Sequence, residues 1–153
     1  METLSAKSAF AVPDMFSKLR GLFGARDEVA PEPLRGRPKV RREKIYSADS
    51  GYVYQYFYEG FREAVRDGQS GCEYIFDCTS DRAARISVTV FAADQTFIAW
   101  QRETERELND VEKYALIKMT LFSAFDEREH LTADLAIQLD GERISEHAQT
   151  LDL

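Results

Sequence analysis

Two histidines and two cysteines are the chain's main candidates for metal or nucleophilic chemistry. His130 follows Glu127 in the spacing Glu-x-x-His, which carboxylate-bridged di-metal bundles use together with a second such motif. No second motif can be assigned, which favours a histidine near a helix C-terminus, where the dipole stabilises a cation. Cys72 and Cys78 lie in one predicted strand, roughly 20 Å apart at about 3.3 Å per residue, too far for a disulfide. We therefore expect no metal, no cofactor and no disulfide.

Composition and motifs favour a binding role over catalysis. The 153 residues are 44% hydrophobic and carry a net charge of −7, which is typical of one globular domain. The chain contains no nucleophile elbow, phosphate-binding loop or HExxH motif. No apolar run approaches the roughly 20 residues that span a bilayer, and the N-terminus does not resemble a signal peptide. We expect a non-enzymatic, cytoplasmic protein.

The charge is distributed unevenly along the chain. Residues 1–44 contain ten Lys/Arg against six Asp/Glu, a net charge of +4, and the remainder contains ten against twenty-one, a net charge of −11. A basic arm on an acidic body implies either an intramolecular contact or an anionic partner for the arm.

A short amphipathic helix is predicted over residues 14–24. Asp14 can cap its start and Gly24 can end it. Such a short helix is marginal in isolation and should fold fully only against another surface. Its apolar face, a predicted partner-binding surface, consists of Met15, Phe16, Leu19, Leu22 and Phe23.

Residues 25–44 contain three prolines and few apolar side chains, which is typical of an extended, solvated linker. We therefore predict a flexible arm over residues 1–42 and a globular domain over residues 43–153. The basic residues of the linker that we expect to contact a partner are Arg35, Arg37, Lys39, Arg41 and Arg42.

The predicted fold is α+β, a three-stranded antiparallel meander packed by two consecutive helices. Alternating apolar residues indicate strands over residues 52–65, 72–78 and 84–91, with a turn at 68–71, and the connections are too short for parallel crossovers. Asp94 is a candidate N-cap for a helix to about Arg102. Asn109 and Glu112 form a capping box for a second helix to about Arg128.

The C-terminal segment allows two interpretations. Residues 135–139 can form a strand that continues through an Asp140-Gly141 hairpin turn into residues 142–148. They can also belong to a helix that extends from Thr132 and is broken at Gly141.

Four tyrosines alternate along the first predicted strand: Tyr52, Tyr54, Tyr56 and Tyr58. A sheet-surface RNA-binding module would use such rings to stack bases, but it would place basic residues among them. Here Gln55, Glu59, Glu73 and Asp77 accompany the rings, and an acidic body repels a phosphate backbone. This pattern disfavours nucleic acid and predicts that Tyr54 and Tyr56 are more than half buried.

The favoured function is a small adaptor or accessory subunit that docks to a protein partner in a larger assembly through its N-terminal arm. One alternative is a peripheral membrane protein, whose amphipathic helix and basic linker bind anionic lipid. Another is a small ligand-binding domain or enzyme with a pocket between the tyrosine-rich strand and the helices.

Overall fold

The tyrosine-rich stretch forms the longest strand of a mixed sheet. The computed structural model describes residues 31–82, 84–128, 131 and 135–153. In this part of the chain the strands are β1 (Lys44–Ser47), β2 (Val53–Arg66), β3 (Gln69–Thr79), β4 (Ile86–Ala93) and β5 (Leu135–Leu139). They lie in the order β1-β2-β3-β4-β5, and neighbours are antiparallel except for β4 and β5, which are parallel.

The β2–β3 hairpin closes through Asp67 and Gly68. Arg66 pairs with Gln69, so the loop between them has two residues, whose φ angles of 51° and 75° are those of a type I′ turn. This geometry matches the right-handed twist of the flanking strands. The predicted turn at residues 68–71 was too late, because β3 already begins at Gln69.

The helices that the structure describes are α1 (Asp94–Thr104), α2 (Asp110–Glu127) and α3 (Gly141–Thr150). The side chain of Asn109 accepts a hydrogen bond from Glu112 N (2.8 Å), which confirms the predicted N-cap. The reciprocal bond of a capping box differs, because Glu112 Oε1 accepts from the Asn109 side-chain amide (2.7 Å) instead of the Asn109 backbone N–H. Asp94 is the first residue of α1 rather than its N-cap, a position held by Ala93. A carboxylate there still stabilises the helix dipole.

The helices pack on the face of the sheet that carries the tyrosines. Tyr54 is fully buried and Tyr56 is 3% exposed, as predicted. The Tyr54 ring stacks on Phe125 of α2 at 4.2 Å between centroids, and Tyr46 of β1 stacks on Phe122 at the same distance. These two stacked pairs fix α2 over β1 and β2, because aromatic pairs add to the stabilisation that burial alone provides.

The α+β class is confirmed, but the three-stranded meander is corrected to a five-stranded mixed sheet. The alternation of apolar residues does not predict β1, because three of its four residues are exposed. The C-terminal segment combines parts of both interpretations: residues 135–139 form a strand, and a helix follows instead of a hairpin partner. Asp140 caps that helix through Arg143 N (2.8 Å), and Ile144, His147 and Ala148 form its buried stripe.

The N-terminal helix predicted over residues 14–24 lies outside the described residues, as does His130. Residues from Pro33 to Leu153 form one compact unit. Cys78 is buried and Cys72 is half-buried, and both are free thiols. No helix among the described residues is long and apolar enough to cross a membrane.

Candidate ligand-binding site

A β-bulge shapes the edge of β2 at which the site lies. The pairing of β2 with β3 shifts between Tyr58 and Gly60. Beyond the bulge, Arg35 N donates to Phe61 O (2.7 Å) and Phe61 N donates to Arg35 O (2.9 Å). Gly60 permits this close approach, since its φ is +122° and a Cβ there would lie 2.6 Å from Arg35 O. Residues 35–43, here called the basic segment, are thus paired with β2 at one end and continue into β1 at the other.

Two arginines of the basic segment bind back onto the sheet. Arg37 Nη2 lies 3.2 Å from a carboxylate oxygen of Glu59, and Arg41 Nη2 lies 2.6 Å from Glu59 and 2.7 Å from Asp77. The hydrogen bond to Glu59 raises the pKa of Arg41. The Arg41 guanidinium also lies 3.8 Å from the ring centroid of Phe57. The intramolecular contact that the charge distribution allowed is therefore present for these arginines.

The remaining predicted partner-binding residues are differently placed. Arg35 forms an ion pair with Glu63 at 3.4 Å, in addition to its backbone pairing. Lys39 and Arg42 are exposed and form no ion pair with the described residues. The predicted apolar docking face lies outside the described residues: Met15, Phe16, Leu19, Leu22 and Phe23.

A cavity of about 320 Å³ opens between β2, β3 and the N-terminal ends of α1 and α2. We call it the aromatic pocket. Cys72, Asp94, Asp110 and Lys113 contribute its polar groups. Its walls carry five aromatic rings, those of Tyr58, Phe61, Tyr74, Phe97 and Tyr114.

The phenols and the thiol of the aromatic pocket are neutral near pH 7. Burial raises the pKa of Tyr74 and of Tyr114 to about 12, and it also raises the pKa of Tyr58. Burial, together with the nearby carboxylate of Asp94, raises the pKa of the Cys72 thiol. The phenols therefore act as hydrogen-bond donors and acceptors, and the thiol is a poor nucleophile because little thiolate forms.

A second cavity, of about 380 Å³, adjoins the aromatic pocket. It shares the Tyr58 and Tyr114 walls, whose ring centroids are 4.8 Å apart. Pro38, Val40 and Tyr56 complete its uncharged lining. We call it the basic pocket, because it also contains three cationic side chains, those of Arg42, Lys44 and Lys118.

Three parts of the chain bring these cations together: Arg42 comes from the basic segment, Lys44 from β1 and Lys118 from α2. Lys44 pairs with Tyr56 across β1 and β2, and cross-strand partners project on the same face of a sheet. Lys118 comes from α2, where its Nζ lies 5.8 Å from the ring centroids of both Tyr114 and Phe122. Spacings of four residues place these three side chains on one side of the helix.

The three cations of the basic pocket lack the ion-pair partners that neighbouring arginines of the basic segment have. Neither Arg42, Lys44 nor Lys118 forms an ion pair with any residue that the structure describes. Arg37 and Arg41, only a few residues away, are paired with Glu59. The basic pocket therefore holds positive charge that the described part of the protein leaves uncompensated.

Other places in the described chain offer less chemistry. A cavity of about 210 Å³ lies near the end of α2, but its Glu127 is bound by Arg143 at 3.1 Å. The described residues include no cluster of three or more His, Cys, Asp or Glu side chains that could hold a metal.

Sequence reasoning placed a pocket between the tyrosine-rich strand and the helices as one alternative, but it missed Lys44, Tyr114 and Lys118. The spacing of Tyr114, Lys118 and Phe122 was the available signal, since it puts a cation between two rings on one helix face. Comparison of the chain with protein families, with curated proteins and with solved structures found no match.

Proposed function

We propose that this protein binds a small organic molecule with a flat, apolar body in the aromatic pocket. The observation that carries the proposal is a cavity of about 320 Å³ lined by five aromatic rings beside the hydrophobic core. Ligand pockets are typically apolar cavities of roughly 300–1,000 Å³ with a few polar groups that fix orientation. Tyr58, Tyr74 and Tyr114 provide such groups through their hydroxyls.

Binding without turnover fits the chemistry of the pocket. A nucleophile or general base needs a pKa that suits its task near neutral pH. The raised pKa values of Cys72, Tyr74 and Tyr114 act in the opposite direction, because they keep these groups protonated. These three groups therefore favour recognition of a ligand over its chemical conversion.

The adaptor function remains a separate proposal. Its apolar docking face lies outside the described residues, and two of its basic residues, Arg37 and Arg41, are bound to Glu59. A protein partner would therefore compete with this carboxylate for them, whereas Lys39 and Arg42 have no such competitor among the described residues. The membrane alternative depends on the same N-terminal residues.

The test of ligand binding uses N-phenyl-1-naphthylamine, an uncharged aromatic probe that fluoresces in apolar sites. We expect saturable binding and a slower reaction of Cys72 with N-ethylmaleimide, followed by peptide mass spectrometry. Cys78 provides an internal control, since it is fully buried and should stay unlabelled in the folded protein. Native mass spectrometry of the purified protein would reveal a ligand that copurifies.

Two substitutions at position 72 separate binding from stability. Cys72→Leu should weaken probe binding at least about fivefold, because the larger side chain occupies part of the pocket. Cys72→Ser, which is nearly isosteric, should bind the probe as the unmodified protein does. Absence of saturable binding, or equal binding by the Leu and Ser variants, would contradict the proposed pocket.

A further inference from the structure

We infer that the ligand carries an anionic group, a carboxylate, sulfonate or phosphate, which binds Arg42, Lys44 and Lys118 in the basic pocket. This inference rests on the proposed function, because it assigns the charge of a ligand whose apolar body occupies the aromatic pocket. It defines the ligand class as an organic anion in which a flat body and a charged group lie side by side.

The first support is the uncompensated charge. The chain has a net charge of −7, and carboxylates are therefore abundant as partners for any cation. Glu59 forms ion pairs with two arginines of the basic segment, and Asp77 forms ion pairs with Arg41 and Arg85. The three cations of the basic pocket have no such partner among the described residues. An anionic ligand would supply the missing counter-charge.

The second support is convergence from opposite walls. Lys44 belongs to the edge of the sheet and Lys118 to α2, and both line one cavity of about 380 Å³. Cationic side chains that serve only to keep a protein surface soluble need not line the same cavity as aromatic rings. Here the rings of Tyr56, Tyr58 and Tyr114 line the same cavity as the cations, so a bound organic anion would displace water from the space beside them. Charge-assisted hydrogen bonds strengthen as water is excluded.

The third support is the wall that the two pockets share. Tyr58 and Tyr114 line both cavities, with their ring centroids 4.8 Å apart, so a ligand that extends past these two rings would bring its charged group beside the cations. Burial raises the pKa of both phenols, which keeps their hydroxyls protonated. A protonated phenol can donate a hydrogen bond to an anion, whereas a phenolate would repel it.

A matched pair of probes tests the inference. 1-Anilinonaphthalene-8-sulfonate has the same aromatic body as N-phenyl-1-naphthylamine and adds one sulfonate. We expect the anionic probe to bind at least about tenfold more tightly than the neutral probe, which corresponds to one good charge-assisted interaction of roughly 1.4 kcal/mol. Raising the salt concentration should weaken binding of the anionic probe only.

Substitutions then locate the anion. Lys118→Gln and Lys44→Gln should each weaken binding of the anionic probe by about three- to tenfold and leave the neutral probe unaffected. Arg102→Gln is the control, since it makes the same change in net charge at an exposed position near the end of α1, outside both pockets. We expect it to change neither affinity.

The outcomes distinguish the inference from the function on which it rests. If the two probes bind equally well and neither lysine substitution matters, the anionic class is wrong and the ligand-binding proposal stands. A loss of affinity in Arg102→Gln equal to that in Lys118→Gln would also overturn the inference, because the effect would then be general electrostatics. If neither probe binds, the proposed function fails and the inference fails with it.

Discussion

Alternate tyrosines of one strand have different roles, and their depth decides which. Tyr54 and Tyr56 are buried against α2 and behave as core residues. Tyr58, two residues further along, is only partly covered and lines both pockets. Directly after Tyr58, a β-bulge shifts the register in which β2 pairs with β3. At the residue scale, one sequence pattern thus contributes to both stability and recognition.

His147 should make the stability of the protein depend on pH. It is 5% exposed, its Nε2 has no hydrogen-bond partner among the described residues, and burial, helped by nearby Arg143, lowers its pKa. Glu146, Asp140 and Glu127 oppose this shift. Because the unfolded chain then binds the proton more tightly, the contribution of neutral His147 is complete above about pH 6.5 and is lost as the pH falls toward the folded-state pKa.

Urea unfolding at pH 7.5, 6.5 and 5.5 measures this dependence. We expect His147→Gln to reduce the decline in unfolding free energy between pH 7.5 and 5.5, although the substitution also lowers stability at every pH. His130→Gln is the control for the chain's other histidine. An unchanged slope in His147→Gln would show that other groups control the acid response.

At the scale of elements, α2 is fixed to the sheet by two rings of unequal burial. Phe125 is fully buried against Tyr54, whereas Phe122 is half-buried and stacks on Tyr46. We expect Phe125→Ala to cost about 3–5 kcal/mol of unfolding free energy, the range for a buried phenylalanine. Phe122→Ala should cost clearly less. Chemical denaturation of both variants decides, and an equal or reversed order would contradict the packing described.

A glycine pair tests how the basic segment is attached. Gly60→Ala should destabilise the protein by roughly 1–3 kcal/mol, since φ is +122° and the new methyl group would clash with Arg35 O. Gly141→Ala is the matched control, because a Cβ there meets nothing within 4 Å and restricts the unfolded chain. We expect this control to be neutral or slightly stabilising in thermal unfolding. A neutral Gly60→Ala would mean that the Arg35–Phe61 pairing is dispensable.

The elements that the sequence predicts well are those with local signals. The N-cap bond of α2 lies within four residues, and the alternation of β3 and β4 is visible along each strand. The signals of β1 and β5 are weaker, since β1 is short and mostly exposed, and residues 135–139 fit a strand or a helix until their pairing with the distant β4 is known. The basic pocket could not be predicted from local sequence either, because Lys44 and Lys118 come close only when α2 packs over β1 and β2.

At the scale of the whole molecule, the basic segment, most of which belongs to the predicted arm, contributes directly to the proposed binding site. From the sequence, residues 35–43 resemble a solvated linker, with alternate basic residues and two nearby prolines. In the structure the same residues pair with Phe61, bind Glu59 and supply Arg42 to the basic pocket. A chain that begins before this segment and one that begins after it should therefore differ in both stability and ligand preference.

Two truncations measure that difference. A chain that begins at Pro33 retains the whole compact unit, and we expect its unfolding free energy to stay within about 0.5 kcal/mol of the full chain. A chain that begins at Glu43 loses the Arg35–Phe61 pairing and the cations on Glu59, at a cost of roughly 1–3 kcal/mol. It should also prefer the anionic probe less strongly than the longer chain, because Arg42 is missing.

The same two chains separate the proposals for the arm. If Met15–Phe23 dock to a protein partner, both truncations should lose the partner that the full chain captures. If the unpaired cations Lys39 and Arg42 make that contact, only the shorter chain should lose it. Equal stability of the two chains in urea, with equal probe affinities, would show that the basic segment is a passive linker. Pro38, Val40 and Arg42 would then contribute nothing to the basic pocket.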